Sequence, residues 1–441
     1  MPTRELAALI LAAGKGTRLV SRRPKVLHEV GGRPMLGFAL EAVAAVGAKR
    51  CLVVVGFGAE EVQEHFAGRA EFVLQAEQRG TGHAVQLCHA PLAHFDGDVF
   101  ILYGDTPLLR SETLARMVEH KRRTSADLVL LSAPVDVPGI VVRDAAGKMT
   151  RVVEATDATP DELAIRERNT GVYLVDAGLL WKLLDRVDDR NAQGEIYLTT
   201  IVELAVGDGC RVEALALENP DEALGVNTRA ELAQAEARMR ERTLNRVMAA
   251  GVTIVDPAST YIDVGIEIGA DTLIEPGCVI QGATRIGSGV HLRPGCTIEA
   301  SQIGDDVEMG PNAHLRPNCV IGAGSRIGNF VEVKNSVLGP GVKADHLSYI
   351  GDADVGAKAS FGCGSIVVNY DGQKKYRTQV GERAFIGCNV NLIAPVTIEA
   401  DAFVAAGSTI TSDVPNGALG VARARQRNVL GWVARRRPKR D

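Results

Sequence analysis

IDVGIEIGADTLIEPGCVIQGATRIGSGVHLRPGCTIEASQI, residues 262–303, decides the fold of half of this chain. Ile262, Ile268, Ile274, Ile280, Ile286, Leu292 and Ile298 recur every six residues. That period fits neither a helix nor a single strand. It suits a solenoid whose triangular coils take three six-residue faces each, with the aliphatic side chains stacked inside. After a one-residue slip the pattern resumes at Ile303, Met309, Leu315, Ile321, Ile327 and Val333, and it returns at Val380, Ile386, Leu392, Ile398, Val404 and Ile410. Between Val367 and Val380 the polar run NYDGQKKYRTQ interrupts it, and such an insertion predicts a loop projecting from the coil.

Working upstream, Thr228 to Ala250 holds no Gly or Pro and is rich in Ala, Glu, Arg and Leu, the composition of a linker helix. From Leu6 to about Asn227, short apolar runs such as LAALILAA, RCLVVVG, DVFILYGD and SADLVLLSAPV alternate with helical stretches. This alternation predicts a mostly parallel sheet covered on both faces, with ligands at the carboxyl ends of its strands. The expected organisation is a Rossmann-like α/β domain over 1–227, a linker helix over 228–250 and a β-helix over 251–441. A length of 441 residues suits two cores.

Lys and Arg number 49 against 54 Asp and Glu, a net charge of -5 that argues against wholesale binding to nucleic acid or a membrane surface. The basic run Arg435 to Arg440 reads as a solvated terminus. With no long apolar stretch and no cleavage-site pattern after the opening residues, a cytoplasmic location is expected. The eight cysteines are scattered without a C-x-x-C pair and read as small buried hydrophobes.

Leu11-Ala12-Ala13-Gly14-Lys15-Gly16-Thr17-Arg18 follows an apolar strand, and Pro24-Lys25-Val26-Leu27 follows soon after. A glycine-containing turn lets successive backbone N–H groups approach a triphosphate, while Arg18 and Lys25 add positive charge where a phosphoryl group develops negative charge. A second strand runs into Tyr103-Gly104-Asp105 on the same rim.

At these residues the chain resembles the bifunctional N-acetylglucosamine-1-phosphate uridylyltransferase/glucosamine-1-phosphate N-acetyltransferase family. The matching runs extend over essentially the whole length and include LAAGKGTRL, PKVLHEVGGRPML, VLQAEQRGTGHAV, LYGDTPLL, NTGVY, NAQGEIY, GVNTRAEL, GNFVEVK, HLSYIGDA, NYDG and APVTI. The resemblance implies a left-handed parallel β-helix and two activities that together make UDP-N-acetylglucosamine, a precursor for peptidoglycan and lipopolysaccharide. Acetyl-CoA would acetylate glucosamine 1-phosphate, and UTP would then uridylylate N-acetylglucosamine 1-phosphate, releasing pyrophosphate. It further implies that Gln75, Gly80 and Thr81 read the uracil, that Gly139, Glu154 and Asn169 hold the sugar, and that Asp105 and Asn227 bind Mg2+. Where the family usually has Gly-Tyr-Gly-Arg, this chain reads Val137-Pro138-Gly139-Ile140, so only the glycine carries over.

On the β-helix, His346 interrupts the aliphatic period with a titratable ring suited to take a proton from a sugar ammonium group. By the resemblance it is the general base. Arg316 and Lys334 would grip the sugar phosphate, Tyr349, Ser360, Asn369, Tyr370 and Lys375 would orient the sugar, and Cys363, Cys388, Ala406 and Arg423 would contact acetyl-CoA. Ser360 stands where Asn is expected, Cys363 where Ala is expected and Cys388 where Ser is expected. A homotrimer is implied as well. An alternative reading keeps a sugar-1-phosphate nucleotidyltransferase of different sugar specificity with a regulatory, non-acylating β-helix.

Overall fold

The computed structural model describes residues 4–437. It divides into two compact units, Met1–Met239 and Arg240–Asp441. One helix, Arg229–Ala249, runs through the point of division.

The first unit is built on a nine-stranded sheet. Its main path runs Val212–Ala216, Leu128–Ala133, Arg168–Asp176, Gly97–Tyr103, Glu5–Ala12, Arg50–Val55 and Glu71–Leu74. Arg168–Asp176 lies antiparallel to both neighbours, so the sheet is mixed around a parallel centre. Seven of the eight residues of Glu5–Ala12 are buried, because helices cover both faces and an apolar run is stable only there. A hairpin of Gly139–Arg143 and Met149–Glu154 joins the sheet through the pairing of Ile140 with Arg168.

The second unit is a left-handed β-helix of three parallel sheets with ten, nine and eight strands. Strands of two to four residues form each face, and Ile274, Leu292, Met309, Ile327, Ala344, Phe361, Ile386 and Val404 stack inward along one of them. The hydrophobic column explains the six-residue period: each coil places one aliphatic side chain per face against the coil before it.

The irregularities of that period also have a structural origin. Steps of five residues, from Ile298 to Ile303, Val333 to Leu338 and Ile350 to Val355, mark corners that lack one residue. Each tight corner turns through a non-glycine residue with positive φ, namely Ala300 at 40°, Asn335 at 46° and Asp352 at 51°. Ser301 and Ser336, buried beside the first two, donate hydroxyl hydrogen bonds to the carbonyls of Glu299 and Lys334. Between Val355 and Val380 the coil is lengthened by a loop in which Tyr370 and Lys375 form an antiparallel bridge, so Lys375 does sit on a projecting loop.

The expectation that the cysteines are uniformly buried is corrected. Cys88, Cys278, Cys296 and Cys319 are buried, whereas Cys51, Cys210 and Cys363 are half-buried and Cys388 is exposed. Cys363 and Cys388 lie at a corner of the coil and not in the inward column, which is why the solenoid leaves them accessible. Pro438 to Asp441 of the basic tail lie outside the described residues.

Candidate active sites of two transferases

In the first unit the carboxyl ends of neighbouring strands converge. Leu11 is in register with Tyr103, and the Gly104 N–H donates to the Leu11 carbonyl at 3.0 Å. Leu11, Ala12 and Ala13 are buried where the strand ends, and Gly14 follows in the open. Gly16, at φ 60°, turns the loop back over the Lys25 side chain, where a Cβ would come within 2.9 Å of Lys25 Cβ. Gly104 is closed in by Val26, Leu36 and Ala12, each 3.2 to 3.4 Å from where a Cβ would stand. Asp105 is thereby held at the bottom of the rim, its carbonyl accepting from the Val226 N–H at 3.0 Å.

The Lys25 ammonium ion-pairs with Asp105 and donates to Asn227 Oδ1 at 2.7 Å. Three residues from distant parts of the chain thus meet around one positive charge. Asn227 is fixed by a capping box: Glu231 accepts from the N–H groups of Asn227 and Thr228, both at 2.7 Å, while Thr228 Oγ1 accepts from the Glu231 N–H at 3.1 Å. Burial alone would raise the Glu231 carboxyl, but these hydrogen bonds and the nearby Arg18 outweigh it and hold it below the usual carboxylate range. Arg18 itself is exposed.

Gln75, Gly80 and Thr81 form a second cluster. The Gln75 side chain is buried and donates to the Gly80 carbonyl at 3.2 Å, and Thr81 Oγ1 accepts from the Leu198 N–H at 3.2 Å. Thr81 also hydrogen-bonds the Tyr103 phenol, which desolvation, with Glu154 and Asp105 nearby, pushes well above the ordinary tyrosine value. A third cluster is built on the hairpin. Gly139 is paired with Glu154, and a Cβ on Gly139 would stand 3.2 Å from that of Asn169. Asn169 donates to the Tyr173 hydroxyl at 2.6 Å, and Glu154 accepts from Thr199 Oγ1 at 3.1 Å. Burial leaves the Glu154 carboxyl above its usual range despite that bond. Thr81, Glu154 and Asp105, one from each cluster, all act on the Tyr103 phenol, whose ring lies so close over Gly171 that no side chain fits there.

In the second unit, one corner of successive coils carries Asn329, His346, Cys363, Cys388 and Ala406 in a single column. Asn329 is in register with His346, and the neighbouring pairings Ala344 with Phe361, Phe361 with Ile386 and Ile386 with Val404 continue it. The His346 Nδ1–H donates to Asn329 Oδ1 at 2.6 Å, which leaves Nε2 as the acceptor nitrogen. Leu347, at φ 44°, then turns the chain sharply into Tyr349–Gly351 on the next face. Ser360 opens the strand that leads to Cys363, in register with Lys343 and Phe385. Arg423, exposed, passes near Gly407 beside Ala406.

Along the adjoining face, Lys334 is in register with Gly351, and the Tyr349 ring passes so close over Gly351 that a Cβ there would stand 2.4 Å from the phenol oxygen. Lys375 reaches back from the projecting loop to Lys334. Its proximity, then desolvation and the Arg316 charge, lower the Lys334 ammonium below the usual lysine value. Arg316 donates to Glu332 at 3.2 Å. A cluster of three cations held together against repulsion is suited to a phosphate. Below it, the buried Asp352 carboxylate accepts from Asn369 Nδ2 and, at 2.5 Å, from Asn335 Nδ2. Tyr370 is exposed and its hydroxyl donates to the Gly372 carbonyl at 2.6 Å.

Sequence reading missed Asn329, Asn335, Asp352, Thr199 and Glu231. Only Glu231 had a local signal, the T-x-x-E spacing of Thr228 and Glu231 ahead of the helix.

A nucleotide-type rim on an α/β sheet and a basic, histidine-bearing corner on a β-helix define a chain with two transferase units. Residues 8–168 match the MobA-like NTP transferase domain, residues 251–344 the GMPPB C-terminal domain and residues 377–412 the bacterial transferase hexapeptide repeats. The chain is 49% identical to the bifunctional protein GlmU of Exiguobacterium sp., covering 98% of this chain and 100% of that one. It is 47% identical to the GlmU of Pelobacter propionicus, over 98% and 99%, and 44% identical to that of Listeria monocytogenes, over 97% of each. It belongs to the bifunctional GlmU family, whose two activities, uridylyl transfer and acetyl transfer, make UDP-N-acetylglucosamine.

Proposed function

We propose that the column at His346 is the acetyl-transfer site and the rim at Lys25, Asp105 and Asn227 the uridylyl-transfer site. In the first step His346 Nε2 accepts a proton from the amine of glucosamine 1-phosphate. The amine attacks the thioester carbon of acetyl-CoA, and coenzyme A leaves with its sulfur. Arg316, Lys334 and Lys375 hold the sugar phosphate, while Tyr349, Ser360, Asn369 and Tyr370 line the sugar. Cys363, Cys388, Ala406 and Arg423 lie along the coenzyme's path. The observation that carries this reading is the pinned His346 ring on the coils that also gather three cations.

In the second step a phosphate oxygen of N-acetylglucosamine 1-phosphate attacks the α-phosphorus of UTP, and pyrophosphate leaves. Gln75, Gly80 and Thr81 read the uracil, Gly139, Glu154 and Asn169 hold the sugar, and Gly14 to Arg18 with Lys25 cradle the phosphates. Asp105 and Asn227 would hold Mg2+: they supply two hard oxygens that already converge on one cationic nitrogen. An ion held there would take its other ligands from substrate phosphate and water. Bound there, Mg2+ supplies neutralising charge for the triphosphate.

The reading includes a cytoplasmic location, and among the described residues no helix is long and apolar enough to cross a membrane. It also includes a homotrimer, supported by an exposed apolar stripe of Phe385, Phe403 and Leu419 in register on consecutive coils, the two rings stacked 4.4 Å apart. Two measurements on one preparation test the whole: nucleotide-dependent pyrophosphate release and acetyl-CoA-dependent thiol release. Both should require the named sugar phosphates. Pyrophosphate release without thiol release would leave only the nucleotidyltransferase.

A further inference from the structure

The corner column of the β-helix holds two thiols that the transfer chemistry does not use. Cys363 and Cys388 occupy the same position on consecutive coils: Phe361 pairs with Ile386, the Gly362 N–H donates to the Ile386 carbonyl at 2.7 Å, and the Asn389 N–H donates to the Cys363 carbonyl at 2.8 Å. These two ladder bonds flank the cysteine pair, so the register is unbroken there. Backbones are packed closely enough that a Cβ on Gly362 would stand 2.6 Å from the Cys388 nitrogen. Parallel neighbours in register are separated by about 4.8 Å. That spacing falls inside the roughly 4.4–6.8 Å between Cα atoms that a disulfide spans. Cys388 is exposed and Cys363 half-buried.

Each of the remaining cysteines is less accessible than Cys388. Burial pushes the Cys51 and Cys88 thiols up to about 12 and raises Cys210 and Cys319 as well. Such thiols are poor nucleophiles at neutral pH. Cys278 and Cys296 also occupy matching positions on consecutive coils, but both are fully buried in the core.

We propose that Cys363 and Cys388 are an oxidisable thiol pair whose disulfide reversibly blocks the acetyl-transfer corner, with a peroxide as oxidant. The Cys388 thiolate attacks one oxygen of hydrogen peroxide. The O–O bond breaks, an S–O bond forms, and the departing hydroxide leaves as water once it takes a proton. The Cys363 sulfur then attacks the Cys388 sulfenic acid: the S–S bond forms, the S–O bond breaks and a second water leaves. Two thiols lose two electrons and two protons, and one peroxide becomes two waters. Small thiols restore the pair by exchange. The cross-link stands one coil from His346, so it alters the wall along which the acyl donor lies. This consequence rests on the placement of acetyl-CoA proposed above, whereas the cross-link itself rests only on the register.

The full-length protein is treated with hydrogen peroxide, its free thiols are capped with iodoacetamide, and the cysteine peptides are mapped by mass spectrometry. The expected product joins the peptides of Cys363 and Cys388, while Cys278 and Cys296 are found as free thiols. Acetyl transfer is lost in step with the cross-link and returns with dithiothreitol, and pyrophosphate release is unchanged throughout. C388S, compared with its own reduced form, should keep its acetyl transfer under the same treatment, and neither C363A nor C388S should yield a cross-linked peptide. Recovery of both cysteines in uncross-linked form, or equal inactivation of C363A and C388S, overturns the thiol pair. A complete cross-link with full acetyl transfer overturns the blocking and removes the acyl donor from this corner, a failure distinct from that of the cross-link.

Discussion

His346 has one ring nitrogen committed to Asn329 and the other available, and this asymmetry decides what each neighbour contributes. Replacing His346 by Ala should lower acetyl transfer by roughly 100-fold to 10,000-fold, the range for losing a general base. Part of the rate should return as pH rises and free amine accumulates; a deficit equal at every pH would identify an orienting residue instead. Uridylyl transfer should be unaffected. Asn329 is a positioning residue, and Asn329→Ala should lower kcat by about tenfold with little change in the KM for acetyl-CoA. Asn329→Asp keeps the acceptor for Nδ1–H and should recover most of that loss, which a merely structural role would not predict. His346 was legible in the sequence because a titratable ring broke an aliphatic period. Asn329 was not, since the two meet only when the coil returns, and nothing local in GNFVEVK marks which residue faces the histidine.

At the scale of elements, the helix Arg229–Ala249 does more than join two units, because its first turn fixes Asn227. The Glu231 carboxyl is held below its usual range, so its stabilisation is fully present above the ordinary carboxylate value and is lost as pH falls through the lowered folded value. Glu231→Gln should therefore cost about 1 kcal/mol at neutral pH by denaturant unfolding, as loss of a cap does, and the difference from wild type should vanish in acid. The same substitution should raise the Mg2+ concentration needed for half-maximal uridylyl transfer while leaving acetyl transfer alone. A loss of stability with no change in Mg2+ dependence would separate Asn227 from the metal. The β-helix was the most legible element, since every inward residue repeats on a fixed period. Its apparent slips at Ile298 and Val333 could be counted but not explained from sequence, because a corner shortened by one residue looks like lost register until Ala300 and Asn335 are seen turning through positive φ. In the first unit, Asp105 and Asn227 are 122 positions apart in sequence, and only the sheet brings both to Lys25.

For the whole molecule, the central question is whether two chemistries on one chain depend on each other. The first unit's two cores, between them, draw on residues from Leu6 to Ala223, and the β-helix core on residues from Leu244 to Val414, with no residue shared. Every residue assigned to uridylyl transfer lies before Met239, and every residue assigned to acetyl transfer lies after Arg240. Units with separate cores can lose one activity and retain the other. Asp105→Ala should thus abolish pyrophosphate release with acetyl transfer near wild type, and His346→Ala should do the reverse. A mixture of the two purified variants supplied with glucosamine 1-phosphate, acetyl-CoA, UTP and Mg2+ should then make UDP-N-acetylglucosamine, although neither variant does so at an appreciable rate alone. Product should appear after a lag, since N-acetylglucosamine 1-phosphate must leave one molecule and accumulate before another can use it, and the lag should shorten as the concentration of the Asp105→Ala variant rises. A mixture that accumulates N-acetylglucosamine 1-phosphate without forming product would mean that the uridylyl site of a His346→Ala chain is impaired from a distance, and the independence of the two units would fail.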